Sequence, residues 1–478
     1  MNVDLKYNNT IVHFGVGNFH RAHQAYAIQK FNDNAGNNNE KWSICGAAIL
    51  PSDKAFVDRF EKNNCLYNLS MKAADGTEEI IQVNVINEII YGPDDPEKLI
   101  AKIAHPDTHV VSFTITEGGY NRNEANDGFI YDNPSIINDL NKSNKPQTVF
   151  GYLARAFELR KHIPEDKLVL LSCDNLQENG VVLKKSVEDF LQSYDKELLK
   201  YLYQSVEFPN SMVDRITPAT SIEAIDVFEN NTGFRDEVLV QSEDFFQWII
   251  EKPESEKFPA LEVVNGVKFV KDVKPYEKMK LGILNGGHSL TGLTGWAMEY
   301  SLINEAIRDK NIAGLFELYV KNEVIPGLEN IDGIDYSEYF LSVKSRFENP
   351  LIKDNVLRII SDSTSKFPKF ILPVIIKRIE EEKDFSIAAF IVACWWNYIY
   401  QMYILGKTDE IVDSGKKEWL SVFLEENPLS EFLSLNSIFG KLANSEKFKG
   451  KVIEYFEIIQ ESGMEAAITE VLKLYKKA

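Results

Sequence analysis

In the run MKLGILNGGH, residues 279 to 288, a lysine, an asparagine and a histidine are the only polar side chains among apolar residues and glycines. Around an α-helix of ~100° per residue, Lys280, Asn285 and His288 would lie at about 0°, 140° and 80°, so one helix could aim all three at one cavity. Gly286 and Gly287 would leave room for a ligand near the backbone. Oxidation of an alcohol by hydride transfer needs a base for the hydroxyl proton and donors for the developing alkoxide. A lysine withdrawn from water can serve as that base, an asparagine NH2 can donate to the oxygen, and a histidine can orient either. The scheme calls for no metal, and no Cys/His/Glu spacing of a catalytic zinc site occurs. Taken singly, the three read as a solvated lysine, a capping asparagine and a core histidine. Their shared face, and their position where two differently patterned halves meet, favour the chemical reading. A rival pattern, YxxxK at Tyr276 and Lys280, is weak because the same spacing recurs at Tyr403 and Lys407.

The elements that must carry this chemistry follow from patterning. The apolar run IVHF (11 to 14) leads into GVGNFHRAHQAYAIQKF, where apolar residues recur at helical spacing, giving strand, glycine turn and helix. Further β-rich runs stand at 43 to 49, 109 to 116, 167 to 175 and 267 to 270, separated by helix-like segments such as TVFGYLARAFELRKH. That alternation predicts a parallel sheet covered by helices. From about residue 275 onward the segments read as helix.

Gly15 and Gly17, between strand and helix, would let a pyrophosphate approach bare backbone at the helix N-terminus. The usual third glycine is replaced by His20. Arg21 could reach phosphate oxygens, and Asp53, after the second strand, could accept the ribose hydroxyls and disfavour a 2'-phosphate, so NAD is expected rather than NADP. Ser52 beside it weakens that preference. The long spacing from Gly17 to Asp53 requires a loop, for which the asparagine-rich segment 34 to 39 serves.

The chain has 478 residues and a net charge of -20, enough for two or three domains and repulsive to nucleic acid and anionic lipid. Cys45, Cys65, Cys173 and Cys394 form no CxxC pair, and the N-terminus lacks the order of a signal peptide, so a reducing cytoplasm is expected. The uncharged stretch Phe385 to Leu405 is long enough to cross a bilayer. Asn397 and Gln401 in its middle, and flanks without a basic excess, make a buried core helix the better reading.

With these residues identified, the chain resembles the polyol-specific long-chain dehydrogenases, the family that includes mannitol 2-dehydrogenase, arabinitol dehydrogenase and fructuronate reductase. IVHFGVGNFHRAHQAY, TITEGGY, SCDNLQENG, FPNSMVDRITP, PYEKMKLGILNGGHS and SDSTSKFPKF carry the resemblance in order along nearly the whole chain. It implies a Rossmann-type domain, residues 1 to 277, and a mainly helical domain, 278 to 478, with the active site between them. The family signature of lysine, four residues, asparagine, two residues and histidine falls on Lys280, Asn285 and His288. The resemblance further implies Lys280 as general base, Asn175 beside Asn285 in the oxyanion hole, and Asp214, Arg358 and Lys366 around the substrate chain. Glu117 and Glu277 would relay the proton to water, and Gly15, Gly17, Asn18, Phe19 and Arg21, with Asp53, would hold the cofactor. The family's phosphate turn also lacks a third glycine.

The implied reaction is NAD-dependent interconversion of a polyol and a ketose, D-mannitol and D-fructose foremost, by a metal-independent cytoplasmic enzyme that is monomeric and binds neither nucleic acid nor membrane. The alternatives are a fructuronate reductase acting on D-mannonate and D-fructuronate, and a D-arabinitol dehydrogenase. Lys369 in SKFPKF stands where the fructuronate branch is expected to carry an arginine. A sensor that kept the fold and lost turnover is disfavoured by the intact lysine, asparagines and histidine.

Overall fold

A computed structural model of the protein describes residues 9–35, 41–123, 127–163 and 167–476. The chain forms two compact units, Met1–Ala73 with Thr77–Lys274, and Ala74–Gly76 with Pro275–Ala478. The expected architecture is realised: a parallel-sheet unit with Rossmann winding, then a mostly helical one.

The first unit is built on six parallel strands ordered Ile86–Tyr91, Trp42–Ala48, Asn9–Phe14, Thr108–Phe113, Leu168–Ser172 and Val206–Glu207. Numbered along the chain this is 3-2-1-4-5-6, with the winding reversing between the first and fourth strands. The inner strands are buried along their length, which is why they read as continuous apolar runs rather than alternating ones. Helices Gln24–Asn34, Val149–Arg160 and Asn179–Tyr194 bury their apolar faces in the cores on the sheet. Thr148 fixes the start of the second of these by accepting from the Gly151 amide.

Two smaller sheets depart from expectation. Val267–Val270, read as part of the parallel sheet, instead pairs with Gln247–Glu251 in a three-stranded sheet that ends on Ser211–Asp214. Val240–Glu243, Tyr67–Lys72 and Glu78–Val83 make the other. Of the asparagine-rich segment, Asn34 closes a helix and Ala35 caps it, while 36 to 39 lie outside the described residues.

The second unit resumes at Pro275, inside the helix Lys274–Lys280, which runs into a π-helical turn, Leu281–Asn285, and then into Gly286–Ala297. The apolar stretch forms the helix Ser386–Ile404, whose residues Ile387 to Cys394 are each at most 1% exposed. It packs against Gly286–Ala297 and Glu446–Ser462, as a core helix should. The four cysteines are free and buried.

Candidate active site

The switch point of the parallel sheet carries the glycine turn. Gly15 sits at a φ of +92°, and a Cβ there would lie 1.9 Å from the Thr114 carbonyl oxygen on the neighbouring strand's exit. Gly17 is different: it is exposed, and its Cβ would meet nothing nearer than 4.0 Å. It caps the helix Asn18–Ala22 without any side chain satisfying the first amides, which leaves them for an anion.

Beneath the turn, His13 bonds the Ser112 hydroxyl at 2.8 Å and the Gly15 carbonyl at 3.2 Å, and its ring stacks on His20 with centroids 3.4 Å apart. Burial lowers His13 to about 3 and His20 well below its ordinary value, so both rings are neutral. Charge for a pyrophosphate therefore comes from oriented backbone, not from these histidines.

Arg21 is turned inward and engaged by the protein. Its guanidinium is buried, donating to the Val238 carbonyl and, at 2.6 Å, to Asn18 Oδ1, over the rings of Phe56, Phe60 and Tyr67. It is a strut that fixes Asn18. Phe19, partly exposed, stacks on His23 at 5.0 Å. Asp53 stands half-buried just beyond the adjacent strand Trp42–Ala48, one carboxylate oxygen accepting from the Leu50 amide at 3.0 Å. The neighbouring cation, Lys54, is engaged by Asp58 and Asp94. The turn and this carboxylate fit a dinucleotide: a cradle that a side chain would fill, open helix amides and a ribose acceptor.

On the other side of the switch point, Glu117 is exposed in the short helix Thr116–Gly119, and Asn175 is exposed past the end of Leu168–Ser172. A residue overlooked in the sequence ties these loops together. Asp174, buried, accepts from the amides of Ile115 and Thr116 at 3.0 Å each and from the Tyr120 hydroxyl at 2.7 Å. Those bonds hold Thr116 at a φ of +58°, a strained value for a β-branched residue. Burial raises the Asp174 carboxyl, while the Ile115, Tyr120 and Thr116 hydrogen bonds pull it down. Asn179 is a second clamp, donating to the Asp174 and Ser211 carbonyls and accepting from the Ser211 amide. It thereby joins the Asn175 loop to the strand that ends on the buried Asp214.

In the helical unit the π-turn changes the expected geometry. One extra residue is taken up between Lys280 and Gly286, so five steps wind as roughly four and the azimuths become about 0° for Lys280, 40° for Asn285 and -20° for His288. The trio is thus more tightly aligned than a regular helix would make it. Lys280 and Glu277, three residues apart on one face, are each 6% exposed. Asn285 Oδ1 is buried and has no hydrogen-bond partner among the described residues. Because an amide's oxygen and nitrogen are interchangeable by a flip, this position can present an NH2 to a ligand oxygen.

The glycines serve a purpose other than the one expected. A Cβ on Gly287 would lie 2.2 Å from the Phe316 ring, and one on Gly286 would lie 2.7 Å from the Tyr319 hydroxyl. They admit neighbouring helices rather than a ligand. Gly287→Ala is accordingly expected to lower stability by about 1–3 kcal/mol through overpacking, read by denaturant unfolding.

His288 stacks on Phe347 with centroids 4.0 Å apart, and its Nε2 lies 3.9 Å from Asp354. Asp354 also receives the Arg358 guanidinium through both oxygens at 2.6 to 2.8 Å. Asn355 sets that helix by accepting from the Leu357 and Arg358 amides. Lys366 donates to the Ile359 carbonyl at 3.0 Å. Asp354 and Phe347 were not singled out from the sequence, although Asp354 lies one helical turn before Arg358.

Burial, with the Arg358 cation adding to it and Asp362 opposing, lowers Lys366 from 10.5 to about 8. Its burial therefore weighs fully on the fold below pH ~8, and stability rises from there to pH ~10.5, where the unfolded chain still holds the proton the fold has released. The melting temperature of the wild type is expected to climb relative to Lys366→Met across that window. A flat difference would place the ammonium in ordinary water. Among the described residues no group of three or more His, Cys, Asp or Glu side chains could hold a metal ion.

Known proteins resemble this arrangement throughout. A family model for the mannitol dehydrogenase Rossmann domain matches residues 9–263, and one for the mannitol dehydrogenase C-terminal domain matches 272–460. A mannitol dehydrogenase of Saccharomyces cerevisiae is 36% identical over 97% of this chain and 92% of its own. A polyol:NADP oxidoreductase of Gluconobacter oxydans is 34% identical over 96% of this chain and 94% of its own. The ternary complex of Pseudomonas fluorescens mannitol 2-dehydrogenase with NAD and D-mannitol superposes with a TM-score of 0.85 at 32% identity, covering 97% of this chain and 94% of that one.

Proposed function

From the premise that this chain belongs to the mannitol dehydrogenase family and is an oxidoreductase acting on polyols, we propose that it interconverts D-mannitol and D-fructose with NAD. The observation that carries this reading is the buried Lys280 and, on one face of the π-wound helix with it, the Asn285 amide whose oxygen has no partner among the described residues. Lys280 takes the C2 hydroxyl proton as the general base. Asn285 and Asn175 donate to the oxygen as it gains negative charge. His288, held between Phe347 and Asp354, orients the reacting hydroxyl. Asp214, Arg358 and Lys366 bind the remaining hydroxyls. Glu277, buried on the lysine's own face, and Glu117, exposed in its own unit, are the carboxylates that pass the proton to water. A bound NAD would supply the hydride acceptor at C2, so that the alcohol gives up one hydride there and one proton to Lys280. The chemistry needs no Lewis acid, and we take the enzyme to be a cytoplasmic monomer.

The Gly15, Gly17, Asn18 and Phe19 turn would hold the pyrophosphate of a bound NAD, and Asp53 its adenosine ribose. Asp53→Ala is expected to shift preference toward NADP by about tenfold or more, the scale of one charge-assisted hydrogen bond. An unchanged ratio of kcat/KM for the two nucleotides would refute the ribose contact, and the Gluconobacter relative's name makes the measurement pointed.

Arg358 is already matched by Asp354, which favours a neutral polyol over a uronate carboxylate. The test is NADH formation with a panel of D-mannitol, D-arabinitol, D-sorbitol and D-mannonate, and NADH consumption with the corresponding ketoses. D-Mannitol and D-fructose are expected to give the highest kcat/KM. Measurable NAD binding with no turnover on any member would overturn catalysis in favour of a sensor.

A further inference from the structure

We infer that the helical unit carries a second binding site, for a neutral hydroxyl-rich small molecule, a free sugar or open-chain polyol. The site is a cavity of about 600 Å³ at the end of the helix Gly286–Ala297 remote from His288. Trp296, on its wall, lies eight residues past His288, or ~12 Å along the axis.

The lining has two chemical halves. Trp296, Val356 and Met464 give an apolar side, with Trp296 held edge-to-face against Tyr398 at 4.8 Å. Asn355, Asn397, Gln401 and Gln460 give four amides, each able to donate and accept. A sugar or polyol has the same division, C–H faces beside hydroxyls that both donate and accept.

Asn397 is the informative residue. It is 4% exposed and is, with Gln401, one of two amides in a mainly apolar core helix, where a buried polar group is costly unless satisfied. Gln460 donates to its Oδ1 at 3.0 Å, and its NH2 has no protein partner among the described residues. That NH2 opens into the cavity, where a ligand hydroxyl can take the place of water as its acceptor. Charge sets the class: among the described residues no Lys, Arg or His lines the cavity, and Glu299 is its sole carboxylate. Phosphorylated or acidic sugars are excluded, which separates this site from the Arg358 and Lys366 cluster. Asn355 also caps the helix bearing Arg358 and adjoins Asp354, so an occupant bears on the segment that holds both.

This inference does not rest on the role of Lys280. The test is equilibrium dialysis of the full chain, without nucleotide, against radiolabelled D-mannitol and D-glucose, using the wild type, Asn397→Leu, Gln401→Trp and Arg358→Ala. Gln401 is half-buried at the rim, so filling the cavity from there spares the core should Asn397→Leu misfold. The expected result is saturable binding of at least one sugar, weakened about tenfold or more in the two cavity variants and retained in Arg358→Ala. No saturable binding, binding indifferent to both cavity variants, or competition by D-mannonate would overturn it. Absence of turnover on the polyol panel with this binding intact would sink the proposed function alone.

Discussion

Lys280→Ala is expected to lower kcat by about 10²- to 10⁴-fold, the usual worth of a positioned general base, while NAD affinity stays nearly unchanged. The reason is where the lysine acts: it meets the hydroxyl proton only as the proton leaves, so its loss is felt in the transition state. Because the side chain is buried, Lys280→Met serves as a packing control. Both variants should show the same defect in steady-state kinetics, and small primary amines should restore part of the alanine variant's turnover. Equal losses of turnover and NAD binding would instead mark a folding defect.

Gly15→Ala should abolish NAD binding, with a dissociation constant at least about 100-fold higher, or roughly 2.7 kcal/mol. Two penalties combine there. The left-handed backbone is unfavourable for any residue with a Cβ, and the new carbon would sit against the Thr114 oxygen, so the turn must move. Gly17→Ala is the contrast, since space is open around it and the fold is expected to keep its melting temperature. It should still weaken NAD, because the added methyl occupies the ground a pyrophosphate needs. Nucleotide titration followed by fluorescence, alongside thermal melts, distinguishes the two. Equal effects of both substitutions on stability would contradict the geometry.

The inner strands were legible in the sequence because burial on both faces leaves continuous apolar runs such as VVSF and LVLL. The strands Tyr67–Lys72 and Glu78–Val83 were not, since the second is largely exposed and polar and gains its place only by pairing. Val267–Val270 reads as a strand, but four residues carry no record of their partner, and it pairs outside the six-stranded sheet. The chemical residues were visible by type and spacing, yet their supports were not. Asp174 and Asn179 matter through bonds to backbone distant along the chain, which leave no periodic trace. The protein partners of Arg21 are equally silent, since nothing local to it announces Val238 or the rings of Phe56 and Phe60. The π-turn is likewise silent in a 3.6-residue pattern, though it decides where Asn285 faces.

Every thiol of this chain is shut away, three of them in the sheet-bearing unit at Cys45, Cys65 and Cys173 and one in the helical unit at Cys394. A maleimide or iodoacetamide can modify such a sulfur only after the surrounding structure opens. The protein thus holds its own unfolding clock, and peptide mapping of timed alkylation would reveal which half breathes first without any engineered probe.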